Sequence, residues 1–221
     1  MSILPREKIN GLLESTVPAH EPVIRLGDAR RLPARRETID FVLTSPPYCT
    51  RLDYAESTRF ELALVAPERS ASFQEFRREL MGAPLVRSPA KPTIPKSWPA
   101  SVRELLERIG RHGSKASESY YFKTYYQYFA DADAAVAEIA ASLKPAGRAA
   151  LVVQGSYYKE IKVDLPALYG DIAQRHGLNL CTLHRMPVRT VLATIHPGTQ
   201  KYRSNWSYDE SLVLLQKGST P

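Results

Sequence analysis

The stretch "IDFVLTSPPY", residues 39 to 48, constrains this chain more than any other. Its apolar run predicts a buried strand, and two consecutive prolines end it. Proline lacks a backbone N–H and fixes φ, so the strand must stop there and leave through a stiff, extended turn. The chain therefore needs a sheet around residues 39–44, with a rigid lip just beyond it.

Elsewhere, short apolar runs alternate with helical patterns, which predicts an α/β fold with helices crossing over a sheet. "PVIRL" (22–26) reads as a further strand before "IDFVLT", and "STRFELALVA" (57–66) as a helix opened by a Ser/Thr cap. Tyr121, Tyr125, Tyr128, Phe129, Ala132, Val136, Ile139 and Leu143 recur at helical spacing up to Pro145 and Gly147, which are expected to stop that helix. The tyrosines in this stripe are expected to pack rather than to stack on bases. "RAALVVQG" (148–155) predicts a buried strand, "DLPALYGDIAQRHG" (164–177) a helix capped by Asp164, and "LNLCTLHRM" and "ESLVLLQK" the last two strands.

Between these parts, residues 67 to 118 hold six prolines, many basic residues and two short helical patterns near 72–80 and 100–110. Long proline-studded segments inside a domain are commonly functional. The expected organisation is a core of residues 1–66 and 119–221 with 67–118 inserted as a target-recognition or lid region.

The chain has 221 residues, 43% hydrophobic and 24% charged, the balance of a globular protein. No apolar run has the length of a membrane span or the form of a signal peptide, so a cytoplasmic location is expected. Cys49 and Cys181 lie far apart and the five histidines are scattered, so neither a disulfide framework nor a metal is expected. Cys49 itself is expected to pack.

The formal charge is +7. Residues 77–115 carry nine Lys or Arg against three Glu, and 184–205 carry four against no acid. Such stretches suit a polyanion through phosphate neutralisation, and equally suit a solvated basic surface. The candidate nucleic-acid contacts are Arg51, Arg77, Arg78, Arg87, Lys91, Lys96, Lys201 and Arg203.

In open α/β sheets, ligands bind at the carboxyl ends of strands, which places Ser45, Pro46, Pro47 and Tyr48 at the lip of a cleft. The Ser45 hydroxyl and the Pro46 carbonyl offer two fixed acceptors beside the flat ring of Tyr48. That set suits an exocyclic amino group with two hydrogens to donate and a base face to stack. The following "RLDY" could bring Asp53 and Tyr54 near a base, or could cap the next helix, and the cap is preferred.

"TSPPY" after an "IDFV" strand resembles the catalytic motif of amino-group DNA methyltransferases, which use S-adenosylmethionine to methylate cytosine N4 or adenine N6. The Ser form is most similar to the cytosine-N4 enzymes. "GDARRLP", "SLKPAGRAALVVQGSYY" and "ESLVLLQK" resemble further parts of the same family, so the likeness spans most of the chain. It implies a partial Rossmann-like methyltransferase sheet, strands 3 to 7 of the family order 3-2-1-4-5-7-6. It also implies Ser45, Pro46, Pro47 and Tyr48 as the catalytic set, acting on a flipped base in DNA by positioning and electrostatics. Asp28, Ala29 and Thr44 are implied as cofactor contacts, with Asp28 alternatively a helix cap. The covalent cysteine of cytosine-C5 enzymes is not matched, because Tyr48 separates Cys49 from the prolines.

One family element is missing. The eleven glycines include no G-x-G, and no acid stands where a second strand would hold the cofactor ribose. The strand bearing "TSPPY" would then lack a neighbour on one side, and an exposed apolar edge invites pairing. The expectation is a split methyltransferase, completed by a second subunit that supplies the glycine-rich loop. An RNA amino-methyltransferase and a non-catalytic nucleic-acid-binding module are the alternatives.

Overall fold

The computed structural model describes residues 22–49, 52–68, 72–88, 90–188 and 208–218. Strand β1 is Ile39–Thr44 and pairs in parallel with β2, Leu143–Gln154. A two-stranded hairpin, β3 (Ser156–Tyr158) and β4 (Ile161–Val163), follows, then β5 (Leu178–Val188) and β6 (Tyr208–Lys217). The main sheet runs β1-β2-β6-β5, with β6 antiparallel to both neighbours. This is the 4-5-7-6 end of the expected order. The fold is mixed α/β, with an open main sheet of four described strands.

"PVIRL" is not a strand. Residues 22–27 carry no regular structure, and Val23, Ile24 and Leu26 are exposed. In the order that the sequence resemblance implies, such a strand would pair with a second strand, and no described strand stands there: the main sheet stops at β1. With no ladder to join, an apolar pentapeptide stays unpaired.

The "STRFELALVA" stretch breaks into two helices, α1 (Tyr54–Ser57) and α2 (Arg59–Val65). Asp53 caps the first by accepting from the Glu56 N–H, whereas Thr58 makes no side-chain cap. Helix α3 is Phe73–Glu79 and α4 is Ala100–Arg111. A π-helical turn at Ser117–Tyr121 leads into α5, Phe122–Ser142, and α6 spans Leu165–Arg175 with Asp164 as its N-cap. No helix among the described residues is long and apolar enough to cross a membrane.

Helix α5 ends at Ser142, before Pro145 and Gly147. Those residues instead lie in an irregular start to β2, where the register against β1 slips between Ile39 and Phe41. Ala146 takes φ 60° there, and a Cβ on Gly147 would sit 2.8 Å from the Lys144 carbonyl oxygen. Only glycine fits that approach.

Alternation along the strands divides the sheet into two faces. Ala149, Leu151 and Val153 of β2, with Val213 and Leu215 of β6, are buried in one cluster with the aromatic stripe of α5 and the apolar face of α6. Fully burying a side chain such as Leu151 or Val213 contributes about 1.5–3 kcal/mol. Tyr125 and Tyr128 belong to this core, as the packing reading expects. So do Trp98, Val102, Leu106 and Ile109, which joins the second half of segment 67–118 to the same core. On the other face, Phe41 and Leu43 of β1 stand 53% and 70% exposed.

Candidate active site

The prolines release the chain from β1 at its carboxyl end, and three hydroxyls then fix the turn. The Ser45 hydroxyl donates to the carbonyl oxygen of Val152, across the ladder on β2, at 3.1 Å. A hydroxyl has one proton, so that bond leaves its lone pairs as acceptors for whatever arrives from solvent. The Tyr128 hydroxyl donates to the Pro47 carbonyl at 2.9 Å, and the Tyr54 hydroxyl accepts the Tyr48 N–H at 3.0 Å.

Tyr128 is itself held from behind. Its hydroxyl lies 3.1 Å from that of Tyr169, and because its proton goes to Pro47, Tyr169 is the donor in that pair. Both phenols are buried, and burial pushes their ionisation well above the ordinary tyrosine range. The Pro47 carbonyl is thus capped, while no described residue bonds the carbonyl of Pro46. The Ser45 hydroxyl and the Pro46 carbonyl remain as neighbouring acceptors.

Tyr48 is half-buried, and desolvation, then the neighbouring Tyr54 and Glu210, hold its phenol neutral by raising its pKa. The Met81–Gly82 turn backs it. Gly82 has φ +77°, and a Cβ there would come within 3.1 Å of the Tyr48 carbonyl oxygen. Cys49 is fully buried behind the turn. Asp53 pairs with Arg77, Oδ2 to Nε at 2.6 Å, as well as capping α1.

A cleft of about 750 Å³ opens beside this turn, with Leu26, Asp28, Ala29, Pro47, Tyr54 and Leu62 on its walls. It gathers two of the sequence-expected cofactor residues and one of the motif. Thr44 is not on its wall; it sits in the ladder opposite Leu151. Ser45, Pro46 and Tyr48 are not on its wall either. Asp28 caps no helix: its carboxylate accepts the Arg30 N–H two residues on, in an Asx-turn, and pairs with the Arg30 guanidinium at 2.7 Å. That hydrogen-bonded guanidinium holds the Asp28 carboxyl below its ordinary pKa.

The wall carrying Asp28 is tied down by an ionic network that sequence reasoning missed. Arg30 and Arg87 both pair with Asp131, a buried carboxylate on α5. The same guanidiniums donate to the carbonyls of Glu79 and Leu80. One acid thereby holds the 28–31 turn, the end of α3 and the segment before Arg87 against the core. The available signal was an aspartate within the apolar stripe of α5, beside Tyr128 and Ala132.

Charge counting does not survive as a uniform basic surface. Arg77 and Arg87 have internal carboxylate partners, and Lys91 pairs with Glu118 at 2.5 Å. Arg78 and Lys96 have no carboxylate partner among the described residues. Arg51, Lys201 and Arg203 lie outside the described residues. A second hollow, about 1200 Å³, carries Lys91 between α4 and the π-helical turn and none of the "TSPPY" residues.

The residues present fit S-adenosylmethionine in part. The largely apolar cleft suits a flat ring such as adenine, with Asp28 on its wall engaged by Arg30, while no glycine-rich loop among the described residues stands where the methionine end would rest.

Comparison with known proteins gives a likeness of fold alone. No family model matches the sequence, and no curated protein matches it. Among solved structures, one from Thermus thermophilus, described as a "Putative DNA Modification Methylase", aligns with TM-score 0.42 and 14% identity over 89% of this chain. The same protein complexed with S-adenosyl-L-methionine aligns with TM-score 0.43 and 15% identity over 89% of this chain. The chain spans about half of each, 53% and 55%.

Proposed function

We propose that this chain is the catalytic-motif part of a DNA methyltransferase that transfers a methyl group from S-adenosylmethionine to the exocyclic amino group of cytosine (N4) or adenine (N6). The observation that carries the reading is the pair of acceptors beside Tyr48: a Ser45 hydroxyl whose proton is committed to Val152, and a Pro46 carbonyl that no described residue bonds, while that of Pro47 is capped.

An aromatic amino nitrogen is a poor nucleophile because its lone pair is delocalised into the ring. Two acceptors that take its hydrogens draw it toward a tetrahedral geometry and free the lone pair for attack. Ser45 and Pro46 do this without covalent chemistry, and Tyr48 stacks on the extruded base and sets its plane. A buried, neutral Tyr128 keeps the turn rigid. Such preorganised electrostatics accounts for large rate effects in a site shielded from water. S-adenosylmethionine, when bound, supplies the methyl group as an electrophilic sulfonium, and Asp28 and Ala29 are the residues that would face its adenine.

A second polypeptide completes the site in this reading, supplying the glycine-rich loop for the methionine end. Label transfer from S-[methyl-³H]adenosylmethionine into duplex DNA and into RNA, side by side, tests the proposal. Ser45→Ala and Tyr48→Ala abolish labelling of DNA while duplex affinity persists. Labelling of RNA alone contradicts the DNA assignment, and unaffected variants contradict the site.

A further inference from the structure

The outer edge of β1 points to an occupant. This strand pairs with β2 on one side, and no described strand joins its other ladder. Phe41 and Leu43, on the face away from the helices, are largely exposed. Nine of the ten large apolar side chains found exposed among the described residues fall between Val23 and Val65. The apolar surface is therefore concentrated in the segment around β1 and is nearly absent from α4, α5 and α6. Phe60 and Leu64, one turn apart on α2, stand 85% and 84% exposed. Leu26 and Leu62 line the same cleft, so segment 22–27 and α2 face one another across it. Exposed apolar surface on this scale marks an interaction site.

Charge narrows the kind of occupant. Arg31, Arg35 and Arg36 are exposed in the stretch leading into β1, and none has a carboxylate partner among the described residues. The acids around them are engaged: Asp28 with Arg30, Glu37 with Lys217, Asp40 with Lys144, and Glu138 with the Leu32 N–H. The stretch is also anchored, its Glu37 and Thr38 N–H groups bonding the carbonyls of Ala141 and Ser142 at the end of α5. A fixed, uncompensated set of arginines beside an open ladder selects for carboxylates on whatever pairs there. A second copy of this chain fits poorly, because each copy carries +7 and the same arginines.

We propose that the β1 edge is a strand-addition surface for a second, different polypeptide, whose pairing strand is apolar at alternate positions and flanked by carboxylates that meet Arg35 and Arg36. Main-chain pairing to β1 would supply affinity, and Phe41, Leu43 and the arginines register and selectivity. This rests on the split-enzyme reading above and gives its partner a place and a chemistry.

The test places p-benzoylphenylalanine at Leu43 of the full chain in cells of its source, with Arg108, exposed on α4, as the control position, and identifies adducts by mass spectrometry. The expected result is an adduct at position 43, absent at 108, with a heterologous polypeptide bearing an alternating apolar strand flanked by acids. Arg35→Glu with Arg36→Glu lowers its yield roughly tenfold. Ser45→Ala leaves the yield unchanged while abolishing methyl transfer, so docking and catalysis fail separately: an adduct without any methylation keeps the surface and removes the catalytic reading. An adduct with a second copy, an adduct with nucleic acid, no adduct, or a yield indifferent to charge reversal would each overturn the proposal.

Discussion

The Tyr128 hydroxyl donates to the Pro47 carbonyl oxygen 2.9 Å away, across 81 residues of sequence. That bond ties the middle of α5 to the turn after β1. It makes the stiffness of two prolines a fixed position relative to the core.

Tyr128→Phe leaves the Pro47 carbonyl and the Tyr169 hydroxyl without their partner. An unsatisfied buried polar group costs about 1–3 kcal/mol, so denaturant midpoints should fall accordingly. The turn also loses its tether, and methyl transfer should drop by about tenfold or more, with DNA affinity little changed. Full activity at reduced stability would make Tyr128 a core residue only.

Asp131→Ala strands two guanidiniums, those of Arg30 and Arg87, against the core. Removing one partner of a buried pair costs about 3–5 kcal/mol, and the partial exposure of these arginines places the expected loss near the lower end. Urea unfolding measures it. Loss of S-adenosylmethionine affinity should accompany it, because the same network holds the Asp28 wall of the cleft.

These two relationships show what was legible in the sequence and what was not. The motif strand, the aromatic helix and the last strand could be read locally, because each rests on periodicity within ten to twenty residues. "PVIRL" misled because its apolar pattern is that of a strand, while pairing depends on a neighbour outside the described sheet. The β3–β4 hairpin, three residues a strand, is too short to leave a pattern. The Asp131 network joins residues 101 and 44 positions apart, and no local rule reveals it. Arg77 and Arg87 counted as free charge in the sequence and proved to have partners in the fold.

Ala146→Gly should stabilise the protein. Ala146 holds φ 60°, where a Cβ is strained, and glycine adopts that conformation freely. The gain, about 0.5–1 kcal/mol after glycine's greater freedom in the unfolded chain is counted, is measurable as a raised thermal midpoint. A lowered midpoint would mean that the Ala146 methyl packs favourably enough to outweigh the strain.

Stability should fall at alkaline pH. Tyr128 and Tyr169 ionise far less readily in the folded protein than at the ordinary value of about 10. Their raised pKa values contribute stability that is fully present below pH ~10 and is lost as pH rises above it toward the folded values. Tyr48 and Tyr120, also raised by burial, add smaller contributions of the same sign. Unfolding midpoints from pH 8 to 12 should decline above 10, and Tyr169→Phe should flatten the decline.

The most direct test of the Ser45 and Pro46 acceptor pair is nucleoside mass spectrometry of genomic DNA from the source organism, before and after chromosomal Ser45→Ala replacement. The account predicts that the N4-methylcytosine or N6-methyladenine content of the DNA falls in the variant, with the protein present at its normal level. An unchanged pattern of both modified bases would contradict it.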